Sequence, residues 1–321
     1  MKKIGILTSG GDAPGMNAVI RAVVRAAQAF EIEIVGIKRG YTGLISGEMA
    51  PLARQDVSNI IHLGGSILES SRCAEFETVD GRKKAIATIS QRELSGLILI
   101  GGDGTFRGAT SLAEESGVDV IGVPSTIDND VFGTDFTIGF DTAVSFAMEA
   151  IDRIRDTAQT FERVFFIEVM GHHTGFIALQ AAVAAGAEGL VIPEEPLDID
   201  TLCTNLQHGR KLGNRSAVVV VAEAQKPGLS YQIAQDVGAR TGLETRVCVL
   251  GHLQRGGSPS ATDRVMASDL GAAAVEAIAQ QQRGVMVGLV GGKLFYTPIA
   301  ETWGKKKELD PRLRQLTGIL S

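Results

Sequence analysis

Cysteine is scarce in this sequence, and its scarcity excludes two common kinds of structural support. The 321 residues include three cysteines, Cys73, Cys203 and Cys248, which are widely spaced and odd in number. Such a pattern favours neither a disulfide framework nor a zinc site. We therefore expect a protein of a reducing compartment, and we assign it to the cytoplasm.

Long hydrophobic runs and an excess of positive charge are also lacking. No apolar stretch of the sequence reaches the ~18 residues of a membrane span. The lysines near the start do not introduce a signal peptide, because glycines and Asp12 interrupt the apolar run that follows them. The formal net charge is -6, which argues against nucleic acid or a membrane surface as the main partner.

Glycine, by contrast, is plentiful, and the apolar content is sufficient for a large core. Many of the 39 glycines occur in pairs beside apolar runs, as in turns where the backbone approaches a ligand. Hydrophobic residues make up 44% of the chain. Its length is typical of about two domains.

Short runs rich in valine and isoleucine alternate with longer segments of helical period. This alternation predicts an α/β fold, with a mostly parallel sheet covered by helices on both faces. The predicted strands are KKIGILT, EIVGIK, GLILIGG, DVIGV, RVFFIEVM, GLVIP, SAVVVVAEA, TRVCVLGH and VMVGLVGG. The clearest helices are 140–161, with Asp141 expected to cap its start, and 260–282.

Two glycine pairs follow predicted strands and precede helices, which is where backbone N–H groups bind phosphate. Gly10 and Gly11 match neither the P-loop nor the dinucleotide fingerprint, and by themselves they fit a plain tight turn as well. After Gly101 and Gly102 comes Asp103. Its carboxylate suits Mg²⁺ shared with a polyphosphate, although a helix cap explains it equally.

The segment PSTIDND, residues 124–130, places two acids at the end of a predicted core strand. If the segment is extended, Asp128 and Asp130 point to one side and Asn129 to the other. One carboxylate could then take a hydroxyl proton while the other holds a metal or positions the base. An Asx-type turn explains Asn129 but not two acids with no lysine or arginine near them in the sequence.

Several cations follow or precede the later strands. Arg163, Arg246, His252 and Arg255 are suited to an anion such as phosphate, although each arginine alone is typical of a surface salt bridge. Glu223 ends a very apolar strand, a costly place for an unused carboxylate.

Taken together, these segments resemble the ATP-dependent 6-phosphofructokinases of the bacterial single-unit type. The resemblance is carried in order by GGDAPGMNA, GGDGT, TIDND, GTDFTIGFDTA, EVMG and LGHLQRGGSP, over nearly the whole chain. It implies a glycolytic kinase that transfers a phosphoryl group from ATP-Mg to the 1-hydroxyl of fructose 6-phosphate, giving fructose 1,6-bisphosphate and ADP. It also implies an allosteric homotetramer whose active sites are shared between subunits.

The resemblance further implies two Rossmann-like three-layer domains with mostly parallel sheets and the active site in the cleft between them. The larger, nucleotide-binding domain is expected to comprise residues 1–138 and about 256–304. The smaller, sugar-phosphate-binding domain is expected to comprise 139–255 and about 305–321.

Roles for individual residues come from the same resemblance. Asp128 would be the base, with Thr126, Asp130 and Arg163 as further catalytic residues, and Asp103 would hold Mg²⁺. The nucleotide would bind Gly11, Tyr41, Arg72, Cys73, Gly102, Asp103, Gly104 and Thr105. The sugar phosphate would bind Thr126, Ile127, Asp128, Arg163, Met170, Gly171, His172, Glu223, Arg246, His252, Leu253, Gln254 and Arg255, with Arg163 and Arg246 reaching in from a neighbouring subunit.

An effector site for a nucleotide or another small anion is also implied. Its residues would be Arg21, Arg25, Arg54, Arg155, Glu188, Lys211 and Arg215. Spacing alone favours solvent exposure for Arg21 and Arg25, because like charges four residues apart on a helix repel mildly. The resemblance overrides that interpretation.

Some positions depart from the family pattern. Gly104 is the residue of nucleotide users, whereas Ser125 stands where nucleotide users commonly have glycine and pyrophosphate users have lysine. Glu69 and Cys73 alter the nucleotide pocket, and His172 replaces an arginine, so a fixed charge is lost or becomes pH-dependent. We expect ATP as donor. The alternatives are ADP or pyrophosphate as donor, a catalytically silent regulatory protein, and a Rossmann-type oxidoreductase, which the missing glycine fingerprint disfavours.

Overall fold

The structure is a computed structural model that describes residues 2–224 and 227–320. It divides into two compact units. Unit 1 consists of Met1–Asp141 and Arg255–Lys307, and unit 2 consists of Thr142–Gln254 and Glu308–Ser321. The chain therefore passes from one unit to the other three times, and the first passage lies near the start of a long helix.

Strands and helices alternate along most of the chain. The strands are β1 (Lys2–Thr8), β2 (Ile32–Ile37), β3 (Met49–Pro51), β4 (Gly96–Gly101), β5 (Asp119–Pro124), β6 (Val164–Val169), β7 (Gly189–Val191), β8 (Ala217–Ala222), β9 (Thr245–Val249), β10 (Val285–Val290) and β11 (Lys293–Pro298). The helices are α1 (Met16–Ala27), α2 (Gly40–Ser46), α3 (Ala74–Glu77), α4 (Val79–Gln91), α5 (Asp103–Ser116), α6 (Phe140–Phe161), α7 (Phe176–Ala184), α8 (Ile199–Lys211), α9 (Leu229–Thr241), α10 (Ala261–Ala279), α11 (Ile299–Gly304) and α12 (Pro311–Leu320). Short 3₁₀ turns cover Gln28–Phe30 and Gly251–Arg255.

Unit 1 is built on a seven-stranded sheet in the order β11-β10-β5-β4-β1-β2-β3. Its five inner strands run parallel, and the edge strands β3 and β11 are antiparallel to their neighbours. The parallel strands β1, β4 and β5 are almost entirely buried, which agrees with a sheet covered on both faces.

Unit 2 contains a four-stranded parallel sheet in the order β7-β8-β6-β9. All six residues of β8 are buried. One face packs against α8 and α9 through a cluster that includes Phe166, Leu206 and Val219. The predicted α/β fold with mostly parallel sheets is thus confirmed in both units.

All nine predicted strands are present, but β3 and β11 were missed. β3 has three residues, too few to show a period. β11 forms a hairpin with β10 across Gly291 and Gly292, and most of its residues are exposed, so it lacks the apolar run of a core strand. Both missed strands are antiparallel edges.

The two predicted helices are also present, as α6 and α10. The capping prediction for Asp141 is wrong, because Asp141 lies inside the first turn of α6 rather than before it. Its Oδ2 instead accepts a hydrogen bond of 2.5 Å from the hydroxyl of Ser260, the residue that caps α10. None of the helices in the described ranges combines the length and apolar content that crossing a membrane requires.

Candidate active site

Three polar turns meet at one edge of the unit 1 sheet. They follow β1, β4 and β5, which are adjacent and parallel. The Thr105 hydroxyl, after β4, donates a hydrogen bond of 3.1 Å to the carbonyl of Ser9, after β1. A β-carbon added to Gly102 would lie 3.4 Å from Cβ of Thr126, after β5. The three turns are therefore in direct contact, at the edge where α/β sheets bind ligands.

The first of these turns is held close to an arginine. Nη1 of Arg255 donates a hydrogen bond of 3.1 Å to the Asp12 carbonyl, and a β-carbon on Gly11 would lie 2.6 Å from that same atom. Only glycine leaves room for this approach without displacing the guanidinium. Arg255, predicted to contact the sugar phosphate, thus lies beside the predicted nucleotide turn.

The second turn opens directly into α5. Gly102 occupies the N-cap position and Asp103 the first turn, so Asp103 does not cap the helix. A β-carbon on Gly104 would meet no atom within 4 Å. The first turn of α5 is therefore uncrowded at Gly104, and the positive end of a helix suits a phosphate group.

A Mg²⁺ ion fits beside this turn if a polyphosphate supplies most of its ligands. The Asp103 side chain is 43% exposed, and its Oδ2 lies 3.7 Å from Nη2 of Arg107. Across residues 2–224 and 227–320, no group of three His, Cys, Asp or Glu side chains is placed to hold a metal ion. A single carboxylate with phosphate oxygens and water is the usual protein environment of Mg²⁺.

Tyr41 supports the second turn from inside the protein. It is 4% exposed, its hydroxyl donates a hydrogen bond of 2.6 Å to the Thr105 carbonyl, and its ring stacks on Phe76 with 3.8 Å between centroids. Burial raises the pKa of Tyr41. Two other residues predicted to bind the nucleotide differ in exposure. Cys73 is partly buried and packs against the core that contains Tyr41, whereas Arg72 is exposed.

The third turn is not extended, so the condition under which Asp128 and Asp130 would point to one side is not met. Residues 127–128 form a turn and Asn129 has φ 54°, a left-handed conformation that asparagine tolerates better than most residues. The Thr126 hydroxyl contacts both the backbone nitrogen and Oδ2 of Asp128, at 3.3 Å each. A threonine hydroxyl that contacts the residue two positions later in the chain stabilises such a turn.

The acids of this turn lie in a poorly solvated, negatively charged environment. Asp128 is 8% exposed. Burial, together with the charges of Asp128 and Asp103, raises the pKa of Asp130 to about 6. Neighbouring carboxylates with unequal proton affinities are typical of sites that move a proton.

Sequence reasoning missed the cation that accompanies these acids. Lys307 lies 178 positions from Asn129 along the chain, yet its Nζ donates a hydrogen bond of 2.8 Å to Oδ1 of Asn129. It also donates one of 2.7 Å to the carbonyl of Asp135. Nothing in the local sequence of Lys307 signals this contact, because the packing of the final segment of unit 1 creates it.

Most predicted sugar-phosphate residues lie at the strand ends of unit 2. The nitrogen of Glu223, after β8, donates to the Val169 carbonyl at 2.9 Å. The nitrogen of Met170 donates to Oε1 of Gln254 at 2.8 Å. Gln254 is fully buried, so it supports Met170. The remaining predicted residues of these turns are the buried Gly171 and the exposed His172, His252 and Leu253.

Two predicted phosphate receptors in unit 2 share one carboxylate. Nε of Arg163 lies 2.9 Å, and Nη2 of Arg246 2.5 Å, from Oε1 of Glu244. Hydrogen bonding to Arg163, with the charges of both arginines, lowers the pKa of Glu244. Sequence reasoning missed Glu244, although its position two residues before Arg246 made it a natural partner.

The predicted effector residues fall into two groups, one in each unit. In unit 1, burial and the charges of Arg21 and Arg54 lower the pKa of Arg25, so these arginines form a cationic cluster. In unit 2, Arg155 binds Glu188 at 2.9 Å.

A pocket of about 240 Å³ in unit 2 includes two of the predicted effector residues. Glu188 and Arg215 both line it. Arg215 is also bound to Glu162. Lys211, at the end of α8, is exposed.

The chain is similar to known proteins over its whole length. Residues 3–278 match the family model described as Phosphofructokinase. Over 321 residues, covering 100% of both chains, it is 55% identical to ATP-dependent 6-phosphofructokinase 1 of Thermus thermophilus and 49% identical to ATP-dependent 6-phosphofructokinase of Bacillus subtilis. The solved phosphofructokinase structure from Saccharomyces cerevisiae matches with a TM-score of 0.89 at 33% identity, covering 95% of this chain and 45% of the yeast chain. This chain thus spans less than half the length of the yeast chain.

Proposed function

The chain belongs to the phosphofructokinase family, and from this membership we propose that it phosphorylates the 1-hydroxyl of fructose 6-phosphate with ATP. The products are fructose 1,6-bisphosphate and ADP, and the reaction is a step of glycolysis. The observation that carries the proposal is the full-length similarity, at 55% identity, to an enzyme named ATP-dependent 6-phosphofructokinase.

The catalytic role of Asp128 is supported by its position and environment. It lies in the turn after β5, 8% exposed, beside the two glycine turns of unit 1. In the reaction, the 1-hydroxyl oxygen bonds to the γ-phosphorus, the bond to the β–γ bridging oxygen breaks, and the hydroxyl proton passes to the Asp128 carboxylate. The Thr126 hydroxyl orients that carboxylate, and the charge of Asp130 keeps the surroundings of Asp128 negative. Such transfers depend mainly on alignment and charge neutralisation.

The glycine turns of unit 1 bind the triphosphate of ATP. Backbone N–H groups near Gly11 and at the start of α5 donate hydrogen bonds to the phosphates. The open space beside Gly104 supports this assignment. Asp103 would hold Mg²⁺, which would supply positive charge to neutralise the phosphates of ATP. Arg72 and Cys73 contact the nucleotide, and Tyr41 holds Thr105 in place.

ATP is favoured over pyrophosphate because of two positions near the donor. Gly104 adds no side chain over the start of α5, and Ser125 is 1% exposed, with its hydroxyl 3.5 Å from the Ile138 carbonyl. Neither position brings an acid or a bulky cation to the place where the α-phosphate of ATP is accommodated.

Unit 2 is the sugar-phosphate-binding unit, and unit 1 is the nucleotide-binding unit. Met170, Glu223, His252 and the neighbouring turn residues bind the sugar. Arg163 and Arg246, which share Glu244, exchange that carboxylate for the phosphate of the substrate. In a cytoplasmic homotetramer, these two arginines serve the active site of a neighbouring subunit, and the two cationic groups around Arg25 and Arg155 bind an anionic effector.

The test is fructose 1,6-bisphosphate formation by the purified protein with Mg²⁺ and fructose 6-phosphate, with ATP, ADP and pyrophosphate offered separately. We expect turnover with ATP. Turnover mainly with ADP or pyrophosphate would overturn the donor assignment but keep the acceptor. No turnover with any donor would favour a silent regulatory protein that binds the same ligands.

A further inference from the structure

Lys307 connects the last segment of unit 1 to the turn that contains Asp128. This segment follows α11, and Lys307 is the final residue of the chain in unit 1. Its ammonium group contacts Asn129 Oδ1 at 2.8 Å and the Asp135 carbonyl at 2.7 Å. One side chain therefore joins this segment to two positions of the loop between β5 and α6.

Asn129 is the residue through which this contact reaches the catalytic turn. It is 3% exposed and has φ 54°. Its Oδ1 also accepts a hydrogen bond of 2.9 Å from the backbone nitrogen of Thr137. The Thr137 hydroxyl in turn donates one of 2.6 Å to the Thr126 carbonyl. The network thus fixes the chain on both sides of Asp128.

The Lys307 ammonium group is partly buried, which is costly unless its partners compensate for lost hydration. Burial lowers the pKa of Lys307 to about 8, while the charges of Asp135 and Asp130 act in the opposite direction. The groups near this cation include Asn129 and the acids Asp130 and Asp135, so its charge acts on the turn that contains Asp128.

We propose that Lys307 is a positioning residue for phosphoryl transfer, which fixes the left-handed Asn129 and thereby the orientation of the Asp128 carboxylate. This inference depends on the proposed function, because it assigns Lys307 to the same reaction. Lys307 touches neither substrate in this role. Its loss should impair the chemical step while leaving both substrates to bind.

Lys305 offers a matched control from the same segment. Its Nζ pairs with Glu301 at 2.6 Å and lies 5.2 Å from the ring centroid of Phe132, and its side chain is 55% exposed. Replacing it removes a lysine of the same length and charge two residues away without touching Asn129.

The experiment compares Lys307→Met, Lys307→Arg and Lys305→Met with the unmodified protein in steady-state kinetics, using ATP and fructose 6-phosphate. For Lys307→Met we expect kcat to fall roughly 10- to 100-fold, the scale of a small misplacement of a catalytic group, with little change in either KM. Lys307→Arg, which retains charge and donors, should recover much of the loss. Lys305→Met should match the unmodified protein.

The outcomes separate this inference from the proposed function. An inactive unmodified protein would overturn the proposed function itself. An active one, with Lys307→Met lower in melting temperature but unchanged in kcat, would show that Lys307 serves stability alone and would overturn its positioning role. If Lys307→Met does not fold, Lys307→Gln, which lacks the charge and is one bond shorter than lysine, takes its place in the comparison with the same expected loss of kcat.

Discussion

The backbone nitrogen of Met170 donates a hydrogen bond of 2.8 Å to the side-chain carbonyl of Gln254. This bond joins the end of β6 to the 3₁₀ turn that follows β9. Gln254 is 0% exposed, so its side chain supports the backbone of Met170, another residue predicted to bind the sugar phosphate.

Gln254→Leu should therefore weaken sugar-phosphate binding. Leucine leaves the Met170 nitrogen without its acceptor, which costs about 1–3 kcal/mol when the group stays buried. We expect a lower melting temperature and a KM for fructose 6-phosphate raised roughly 3- to 10-fold, with KM for ATP unchanged, since about 1.4 kcal/mol corresponds to tenfold in affinity. Gln232→Leu, at an exposed position of α9, is the control. Equal effects of the two substitutions would contradict the role of Gln254.

Asp128→Ser should remove the proposed general base while leaving the proposed sugar-phosphate site largely intact. We expect kcat to fall roughly 100- to 10,000-fold, the usual contribution of a positioned base. Calorimetric binding of fructose 6-phosphate should remain close to that of the unmodified protein. Unchanged turnover would remove Asp128 from this role.

Asp130→Asn should change the pH dependence of stability. Burial raises the pKa of the folded-state carboxyl from 3.8 to about 6, so folding disfavours its charged form. Below pH ~4 the group is protonated in both the folded and unfolded states and costs nothing, whereas above pH ~6 it is ionised in both and destabilises the fold. The two-unit shift corresponds to about 3 kcal/mol at 1.36 kcal/mol per unit.

The variant should consequently melt higher than the unmodified protein at pH 8, and this advantage should shrink as the pH falls towards 4. The measurement is the melting temperature of both proteins from pH 4 to pH 8, without nucleotide or Mg²⁺. A difference that is constant with pH would show that Asp130 is not ionised at a cost in the folded protein.

Site residues that neighbouring strands bring together could be predicted from the sequence, whereas those that long-range packing brings together could not. Gly11, Asp103 and Asp128 follow apolar runs, and the carboxyl ends of neighbouring parallel strands share an edge, so their clustering could be predicted. The contact of Lys307 with Asn129 spans 178 positions and depends on the packing of the final segment of unit 1. No local pattern encodes it.

Most strands could be predicted for the same reason, and the two strands that were missed have a physical explanation. Strands buried on both faces carry the uninterrupted Val and Ile runs that identify them, whereas the mostly exposed antiparallel edge β11 begins with Lys293 and ends with Pro298. Residues 126–130 do not take the extended form considered from the sequence, because hydrogen bonds from Thr137 and Lys307 hold Asn129 in a left-handed conformation. Backbone dihedrals set by distant partners are not visible in a strand pattern.

Tyr41→Phe should destabilise the second glycine turn. The substitution removes a hydrogen bond of 2.6 Å to the buried Thr105 carbonyl but keeps the ring stacked on Phe76. We expect a loss of about 1–2 kcal/mol in the free energy of unfolding, measured by urea denaturation, and a higher KM for ATP. Tyr231→Phe, at a side chain 60% exposed, should leave both quantities unchanged. Identical stabilities of the two variants would contradict the supporting role of Tyr41.

Gly104→Asp should discriminate against ATP by charge. A β-carbon at this position meets nothing within 4 Å, so the substitution causes no clash at that atom, but the new carboxylate lies at the start of α5, where the phosphates of ATP are expected to bind. Repulsion between like charges costs several kcal/mol in such sites, and we expect kcat/KM for ATP to fall at least about 10-fold. Gly104→Ala separates charge from size, because alanine also fits and favours the helix by about 0.5–1 kcal/mol. It should retain activity and melt slightly higher. If alanine impairs ATP use as much as aspartate does, the start of α5 requires glycine for its backbone, and charge at this position does not select the donor.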